Sequence, residues 1–173
     1  MRQGELLALH WRDVDLEDAT LHIRGTLQRT RGAVMIAEPK TARSRRRVDL
    51  TTLAVDGLRR HRAAQAEERL RLGGAWLDRD LVFANEAGDY LSDSYLRRQS
   101  FWPLLERAEL PHIRFHDLRH TAATLLLGRG VHPKIVSETL GHSTIAITLD
   151  LYSHVTPTMQ REAAAAMDAV LRG

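Results

Sequence analysis

The sequence predicts a mainly helical protein with one small antiparallel β-sheet near its N-terminus, an α+β fold. Stretches rich in β-branched residues are concentrated in the first 50 of its 173 residues. Beyond them, apolar residues recur at helical spacing between recognisable helix start and stop signals. With 43% hydrophobic and 27% charged residues, the chain has the composition of one globular domain with a buried core.

The predicted N-terminal elements are a short helix and the strands of the sheet. The helix is predicted from the spacing of Leu6, Leu7, Leu9 and Trp11. Three stretches rich in β-branched or apolar residues follow it and predict the strands: residues 14–24, 34–36 and 47–50. Because glycines and a proline separate these stretches, we expect an antiparallel sheet whose basic turn spans residues 39–46.

The remaining two thirds of the chain are predicted to be mainly helical. Thr51 and Thr52 offer an N-cap for a long helix that ends at about Leu72, before two glycines. Residues 81–83 are compatible with a short strand. Further helices are predicted at residues 94–108, 117–129, 133–140, 144–155 and 157–171. In the helix at residues 117–129, the apolar stripe expected to face the core is Leu118, Ala122, Leu125 and Leu126.

The composition excludes several classes of protein and site. The chain has no cysteine, which excludes disulfide scaffolds, thiolate zinc sites and cysteine nucleophiles, and which is compatible with a reducing compartment. No apolar run reaches the length of about 18 residues that a membrane span needs. The N-terminus also lacks the pattern of a signal peptide. We therefore expect a cytoplasmic protein without a membrane partner.

The net charge of +3 is small, but it is concentrated in one segment. Residues 1–50 contain ten Lys or Arg and seven Asp or Glu, a surplus that equals the net charge of the whole chain. Between Arg29 and Arg47 there are seven basic residues and a single acid, Glu38. A solvated turn is the usual role of such a run, whereas its large share of the charge favours a surface that contacts phosphates.

Four segments carry polar residues that a hydrophobic core does not require. They are R-Q-G-E at Arg2–Glu5, P-K-T at Pro39–Thr41, H-D-L-R-H-T at His116–Thr121, and L-G-H-S at Leu140–Ser143, which Y-S-H at Tyr152–His154 follows. In these segments, and in their order, the chain resembles the catalytic domain of the tyrosine recombinases, the phage integrase family. The resemblance begins with R-x-G-E-L-L-x-L-x-W-x-D-V-D and spans nearly the whole chain.

The resemblance implies a tyrosine-recombinase-like catalytic domain that acts as a site-specific DNA recombinase or integrase. Such an enzyme cleaves and rejoins DNA strands through a 3′-phosphotyrosyl intermediate, without a metal or nucleotide cofactor. Its implied partners are double-stranded DNA and three further copies of itself, in a homotetramer on DNA. Family members carry additional chain before the first arginine. Residues 1–173 are therefore expected to be a single catalytic domain that lacks its N-terminal part and the N-terminal DNA-binding domain.

The resemblance assigns catalytic roles to six residues: Arg2, Lys40, His116, Arg119, His142 and Tyr152. Tyr152 is the implied nucleophile, and a phenol is also a good leaving group when the reaction reverses. Arg2 and Arg119 are the implied phosphate clamps, because a guanidinium donates two parallel hydrogen bonds to phosphate and stays charged. His142 would add a third donor.

The other assignments concern protons, orientation and DNA contact. His116 is implied to handle a proton near the nucleophile, and on a helix it would share a face with Arg119. Lys40, one of only two lysines in the chain, is the implied general acid for the leaving oxygen. Glu5 is expected to orient its neighbours, and His120 and His154 receive no role. The residues expected to contact DNA are Arg43, Arg45, Arg46 and Arg47.

Several alternatives stay open at this point. Tyr152 lies at helical spacing from Ile145 and Leu149, so by itself it also fits the end of an apolar core stripe. His116 and His120 have the spacing of two zinc ligands, although no third ligand is evident. The chain could also be an inactive DNA-binding remnant, or a nicking-closing enzyme similar to type IB topoisomerases. An unbroken helix would hold His142 and Tyr152 about 15 Å apart, so a break near Ser143 and Thr144 is expected.

Overall fold

The polypeptide is mainly helical and carries two small antiparallel β-sheets, which confirms the predicted fold class. The computed structural model describes residues 1–30, 33–37, 45–142, 144–155 and 159–172, and of residues 152–155, 159–163 and 166 it describes the backbone alone. The chain divides into two compact units, Met1–Leu118 and Arg119–Gly173. They are described in turn.

The first unit begins with a short helix and the two sheets. Helix α1 (Gln3–Leu7) is followed by a 3₁₀ turn at Trp11–Asp13. The strands are β1 (Val14–Asp15), β2 (Thr20–Ile23), β3 (Thr26–Thr30), β4 (Ala33–Ala37) and β5 (Arg46–Asp49). One sheet has the order β1-β2-β5, and β3 and β4 form the other as an antiparallel pair. The sequence predicted one sheet and missed β3, because Thr-Leu-Gln-Arg-Thr is too polar to stand out.

The antiparallel pairing of β2 with β5 decides which side chains of β5 face the core. Ile23 pairs with Arg46, and Leu21 pairs with Val48. Because side chains alternate along a strand, Arg46 and Val48 share the inner face, whereas the residues after each of them are exposed. Val48 packs against the main core of this unit, which consists of Leu9, Leu21, Ile23 and Val82.

Gly4 allows α1 to lie directly on β3. A Cβ atom at this position would be 2.5 Å from Oγ1 of Thr26 and 3.1 Å from the carbonyl oxygen of Leu27, distances that no side chain could occupy without movement. Glycine before Glu5 is therefore a packing requirement. It sets the position of the first turn of α1, from which Arg2 and Glu5 extend.

Helix α2 (Thr52–Leu72) begins and ends as predicted. The Thr51 hydroxyl accepts a hydrogen bond from the amide of Ala54, and the helix stops at Gly73, whose φ is 54°. Gln65 in the middle of α2 accepts a hydrogen bond from the indole of Trp11 at 2.7 Å. The predicted strand at residues 81–83 is reduced to an isolated bridge between Leu81 and His10.

A helical stretch with a π-helical segment in its middle lies towards the end of the first unit. It consists of α3 (Asp93–Tyr95), a π-helical segment (Leu96–Phe101) and α4 (Trp102–Arg107), where the sequence predicted one helix over residues 94–108. The Ser92 hydroxyl caps its start by accepting a hydrogen bond from the Tyr95 amide. None of the helices in the described ranges is both long and apolar enough to cross a bilayer.

The second unit contains most of helix α5 and three further helices. Helix α5 spans Asp117–Gly128, α6 spans Pro133–Leu140, α7 spans Ala146–Val155, and α8 spans Met159–Arg172. The core consists of Ala123, Leu127, Val136 and Leu140. The stripe predicted for α5 was right for Leu126, which packs against this core, but the buried face consists of Arg119, Ala123 and Leu127. Leu118 and Leu125 are 43% and 63% exposed.

Candidate active site

Arg2 is held at the start of α1 by the carboxylate of Glu5. The Arg2 amide donates to Oε2 of Glu5 at 2.8 Å, and the Nη1 atom donates to Oε1 at 2.9 Å. The Glu5 side chain is 6% exposed, whereas the Arg2 side chain is 41% exposed. A buried carboxylate therefore anchors a guanidinium that stays accessible to solvent.

The same carboxylate binds a second arginine from β5. Nη2 of Arg46 donates to Oε2 of Glu5 at 2.8 Å, and Nη1 donates to Oε1 at 3.2 Å. Burial raises the pKa of the Glu5 carboxyl, but the hydrogen bonds from Arg46 and Arg2 lower it further than burial raises it. The net effect is a pKa below the ordinary value, so Glu5 is a carboxylate at neutral pH.

His116 and Arg119 occupy different environments at the start of α5. Arg119 lies in the first turn of the helix and is 6% exposed. His116 is exposed in the turn that precedes the helix, so it lies just outside α5 and not within it as expected. Arg114 and Asp117 bracket this turn: the Arg114 guanidinium donates to both carboxylate oxygens, and its amide donates to Oδ2 at 2.9 Å. The hydrogen bond to Asp117 raises the pKa of Arg114.

His142 is buried just after α6 and contacts a threonine of α7. Helix α6 ends at Leu140, and Gly141 follows in the left-handed conformation with φ of 69°. The His142 amide then donates to the carbonyl oxygen of Ser137 at 3.0 Å. The Nδ1 atom of His142 lies 2.7 Å from Oγ1 of Thr148, a fully buried side chain.

The break expected between His142 and Tyr152 is confirmed. Helix α6 ends at residue 140, and α7 begins at residue 146, with a bend at Thr144 between them. Tyr152 lies within α7, but its side chain is outside the described part of the structure. Lys40 and Arg43, in the part of the predicted basic turn at residues 39–44, are outside it as well.

Comparison with known proteins decides the family. The profile of the phage integrase family matches residues 1–159. This chain belongs to the phage integrase family. A XerC-like tyrosine recombinase of Caldanaerobacter subterraneus is 38% identical over 175 residues, and the ICEBs1 integrase of Bacillus subtilis is 30% identical over 171. These alignments cover 94% and 99% of the present chain but only 44% and 46% of the two relatives. The chain thus spans less than half the length of either protein.

Solved structures of recombinases share the fold. The Tn1549 transposon integrase in complex with circular intermediate DNA superposes with a TM-score of 0.75 at 24% identity, over 98% of the present chain and 56% of that one. The XerA recombinase gives a TM-score of 0.66 at 26% identity, over 96% of the present chain and 51% of that one.

The arginines that were predicted from the sequence to contact DNA differ in environment. Arg45 is exposed, and Arg47 is 62% exposed, with its Nε atom donating to Asp49. Arg46 is only 7% exposed and has both terminal nitrogens on Glu5. Within the first unit, the structure thus brings together Arg2, Glu5 and Arg46, and in the second it brings together His142 and Thr148.

Sequence reasoning missed a cationic cleft in the first unit. It has a volume of about 500 Å³ and is lined by Gln3, Arg97, Arg98, Trp102, Arg114 and His116, among others. Trp102 and His112 pack at its wall, with ring centroids 5.1 Å apart. Among the described residues, no acidic side chain pairs with Arg97 or Arg98. The signal in the sequence was the adjacent Arg97-Arg98 pair, at the start of a helix that also carries an aromatic residue.

In the part of the chain that the structure describes, no group of three or more His, Asp or Glu side chains could hold a metal ion.

The sequence analysis also missed Thr148, the residue that contacts His142. Nothing in the sequence marks it, because its partnership with His142 depends on the packing of α7 against α6.

Proposed function

We propose that this chain is the catalytic part of a site-specific DNA recombinase that cleaves and rejoins strands through a 3′-phosphotyrosyl intermediate. The observation that carries the proposal is the family match over residues 1–159, a range that includes all six residues assigned to catalysis. The anchored Arg2 and the buried His142 support it, because each is held by specific contacts.

The proposed reaction uses Tyr152 as the nucleophile. Its phenol oxygen attacks the scissile phosphorus, and the bond from phosphorus to the 5′ oxygen breaks. Lys40 gives a proton to that leaving oxygen, and His116 handles the proton of the tyrosine. Rejoining reverses these steps, with the 5′ hydroxyl of a second strand as the attacking group.

Two arginines and one histidine stabilise the charge on the phosphate in this proposal. Arg2 and Arg119 neutralise the non-bridging oxygens, and His142 donates a further hydrogen bond. Removal of one such preorganised donor costs about 3–4 kcal/mol of barrier. A hydrogen bond from the Thr148 hydroxyl to Nδ1 would place the proton of neutral His142 on Nε2, the tautomer that can donate.

Double-stranded DNA is the proposed substrate and partner. Arg97 and Arg98 supply positive charge in the cleft of the first unit, and the exposed Arg45 and Arg47, together with Arg43, extend the proposed contact. The Tn1549 integrase structure contains DNA, which supports this partner. A homotetramer on DNA in the full-length context and a cytoplasmic location stay predictions.

A covalent-trapping experiment tests the function. The probe is a pool of duplexes with a randomised central sequence and a nick 3′ to the cleavable position, so that a short 5′-hydroxyl fragment dissociates after cleavage. We expect a protein–DNA adduct that survives denaturation and is absent from Tyr152→Phe. A matched control is Tyr90→Phe, a tyrosine of the first unit that the proposal does not use. Adduct formation by Tyr152→Phe at the wild-type rate would overturn the assignment of the nucleophile.

The same assay separates the remaining alternatives. Duplex binding without any adduct from the pool supports an inactive DNA-binding remnant. Joining of strands from two different duplexes supports a recombinase, whereas relaxation of supercoiled DNA without joining supports a nicking-closing enzyme.

A further inference from the structure

The arrangement of the two arginines around Glu5 points to a function for Arg46 other than DNA contact. The Glu5 carboxylate accepts two hydrogen bonds from Arg2 and two from Arg46. The two arginines differ sharply in exposure, since the Arg2 side chain is 41% exposed and the Arg46 side chain 7%. Of these two, only Arg2 therefore presents a substantial part of its guanidinium to a ligand.

Strand register explains why Arg46 is the buried one of the three consecutive arginines at positions 45–47. Arg46 pairs with Ile23 across β2 and β5, on the face that also carries Val48 and the core. Arg47 lies on the opposite face, is 62% exposed and pairs with Asp49, which is also exposed. The two adjacent arginines are thus a buried ion-pair partner and a surface charge.

We propose that Arg46 is a positioning residue that keeps Arg2 both oriented and effectively cationic for the scissile phosphate. This inference rests on the proposed function. The charge balance explains the effect: an isolated Arg2–Glu5 pair has no net charge, and its attraction for a phosphate is weak. With Arg46 bound to the same carboxylate, the three groups carry a net charge of +1, and the exposed end of that charge is Arg2.

Arg46 also fixes the geometry of the carboxylate. A bidentate guanidinium restrains both oxygens of Glu5, which in turn hold the amide and the Nη1 atom of Arg2. A displacement of about 1 Å at a catalytic group can lower a rate about 100-fold.

The first test compares Arg46→Gln with Arg47→Gln. Loss of a DNA contact lowers the slope of log affinity against log salt by about 0.9 per phosphate. We expect that decrease for Arg47→Gln, whereas Arg46→Gln should cause none in a chain that already carries Arg2→Gln, because Arg46 acts only through Arg2. In the trapping assay at saturating DNA, we expect Arg46→Gln to form adduct about 10- to 100-fold more slowly than wild type. If Arg46→Gln lowers the salt slope by about 0.9 more in the Arg2→Gln chain, Arg46 contacts DNA directly and the proposal is overturned.

The second test is rescue by charge removal. In the double variant Glu5→Gln/Arg46→Gln, the charge around Arg2 returns to +1, so we expect adduct to form several-fold faster than in Arg46→Gln alone. If Arg46 merely contacted DNA, the change at Glu5 would not restore the rate of adduct formation. An adduct rate in the double variant equal to or below that of Arg46→Gln contradicts the charge argument.

Three further measurements separate effects on folding from effects on function. Urea unfolding identifies any variant that fails to fold, and Arg46→Lys, which keeps the charge, is expected to retain more of the adduct rate than Arg46→Gln. The Glu5 carboxyl signal in nuclear magnetic resonance titrations does not depend on catalysis, and its pKa should rise in Arg46→Gln. If wild type forms no adduct, the proposed function fails. The titration and the salt slope then decide whether Arg46 pairs with Glu5 in solution or contacts DNA.

Discussion

The Nδ1 atom of His142 and the Oγ1 atom of Thr148 are 2.7 Å apart, and both side chains are buried. The hydroxyl is thus in position to decide which nitrogen of the imidazole carries the proton. We predict that Thr148→Val lowers the rate of adduct formation about 10- to 100-fold, because the tautomer and orientation of His142 are no longer fixed. It should also destabilise the fold by about 1–3 kcal/mol, since a buried nitrogen loses this hydrogen bond.

The matched control at this position is Thr148→Ser, which keeps the hydroxyl and should retain most of the rate. Adduct formation measured at saturating DNA, together with urea unfolding, separates the two effects. A folded Thr148→Val protein with the wild-type rate contradicts the prediction.

The lowered pKa of the Glu5 carboxyl predicts how the stability of the fold depends on pH. A carboxyl whose pKa is lower in the folded than in the unfolded state contributes stability above its unfolded pKa, near 4.3, and loses that contribution as the pH falls through the folded value. We therefore predict that wild type is more stable than Glu5→Gln at pH 7 and that this advantage shrinks in acid.

Urea unfolding of both proteins between pH 7 and pH 3 measures the difference in stability. The contributions of the other carboxyl groups cancel because both proteins contain them. An advantage that grows as the pH falls would show that the folded pKa is raised, the opposite of the prediction.

Gly4 and Gly57 provide a matched pair of glycine-to-alanine changes. Gly4→Ala places a methyl group 2.5 Å from Oγ1 of Thr26, so we predict a loss of about 1–3 kcal/mol in the free energy of unfolding. Gly57 lies inside α2, and no atom of the described residues beyond its own helical turn lies within 4 Å of where its methyl group would be. Gly57→Ala should therefore stabilise the protein by about 0.5–1 kcal/mol. Equal effects of the two changes on urea unfolding would contradict the close approach of α1 to β3.

The cationic cleft predicts a change in the salt dependence of DNA binding. Replacement of both Arg97 and Arg98 by glutamine should lower the slope of log affinity against log salt by up to about 1.8 on a non-specific duplex, because each phosphate contact contributes about 0.9. The control is Arg69→Gln in α2, where the arginine pairs with Asp78. If the double variant and Arg69→Gln have the same slope as wild type, the cleft does not bind DNA.

The sequence predicted those features that local signals encode. The Thr51 cap, the end of α2 at Gly73 and the end of α6 at Gly141 follow from side-chain hydrogen bonding and from glycine conformation, and the structure confirms them. The catalytic assignments of Arg2 and Arg119 rest on the order of the motif segments, and they stay predictions.

The features that were not predicted depend on contacts between residues that are distant in the sequence. Arg46 and Arg47 are indistinguishable in a run of arginines, and only the register of β5 against β2 makes one buried and the other exposed. The stripe of α5 was misplaced because Arg119, a charged residue, shares the buried face with Ala123 and Leu127. A hydrophobicity pattern cannot place an arginine in a core.

The pairing of β5 with β2 has a consequence for variation in chain length. The pairing of β5 with Leu21 and Ile23 sets which of its side chains face inward, and the number of residues that precede β5 does not. Insertions or deletions between β4 and β5 should therefore leave Arg46 facing inward, whatever they do to Lys40. In contrast, a single residue added within β5 would exchange the inward and outward arginines and separate Arg2 from the positive charge of Arg46.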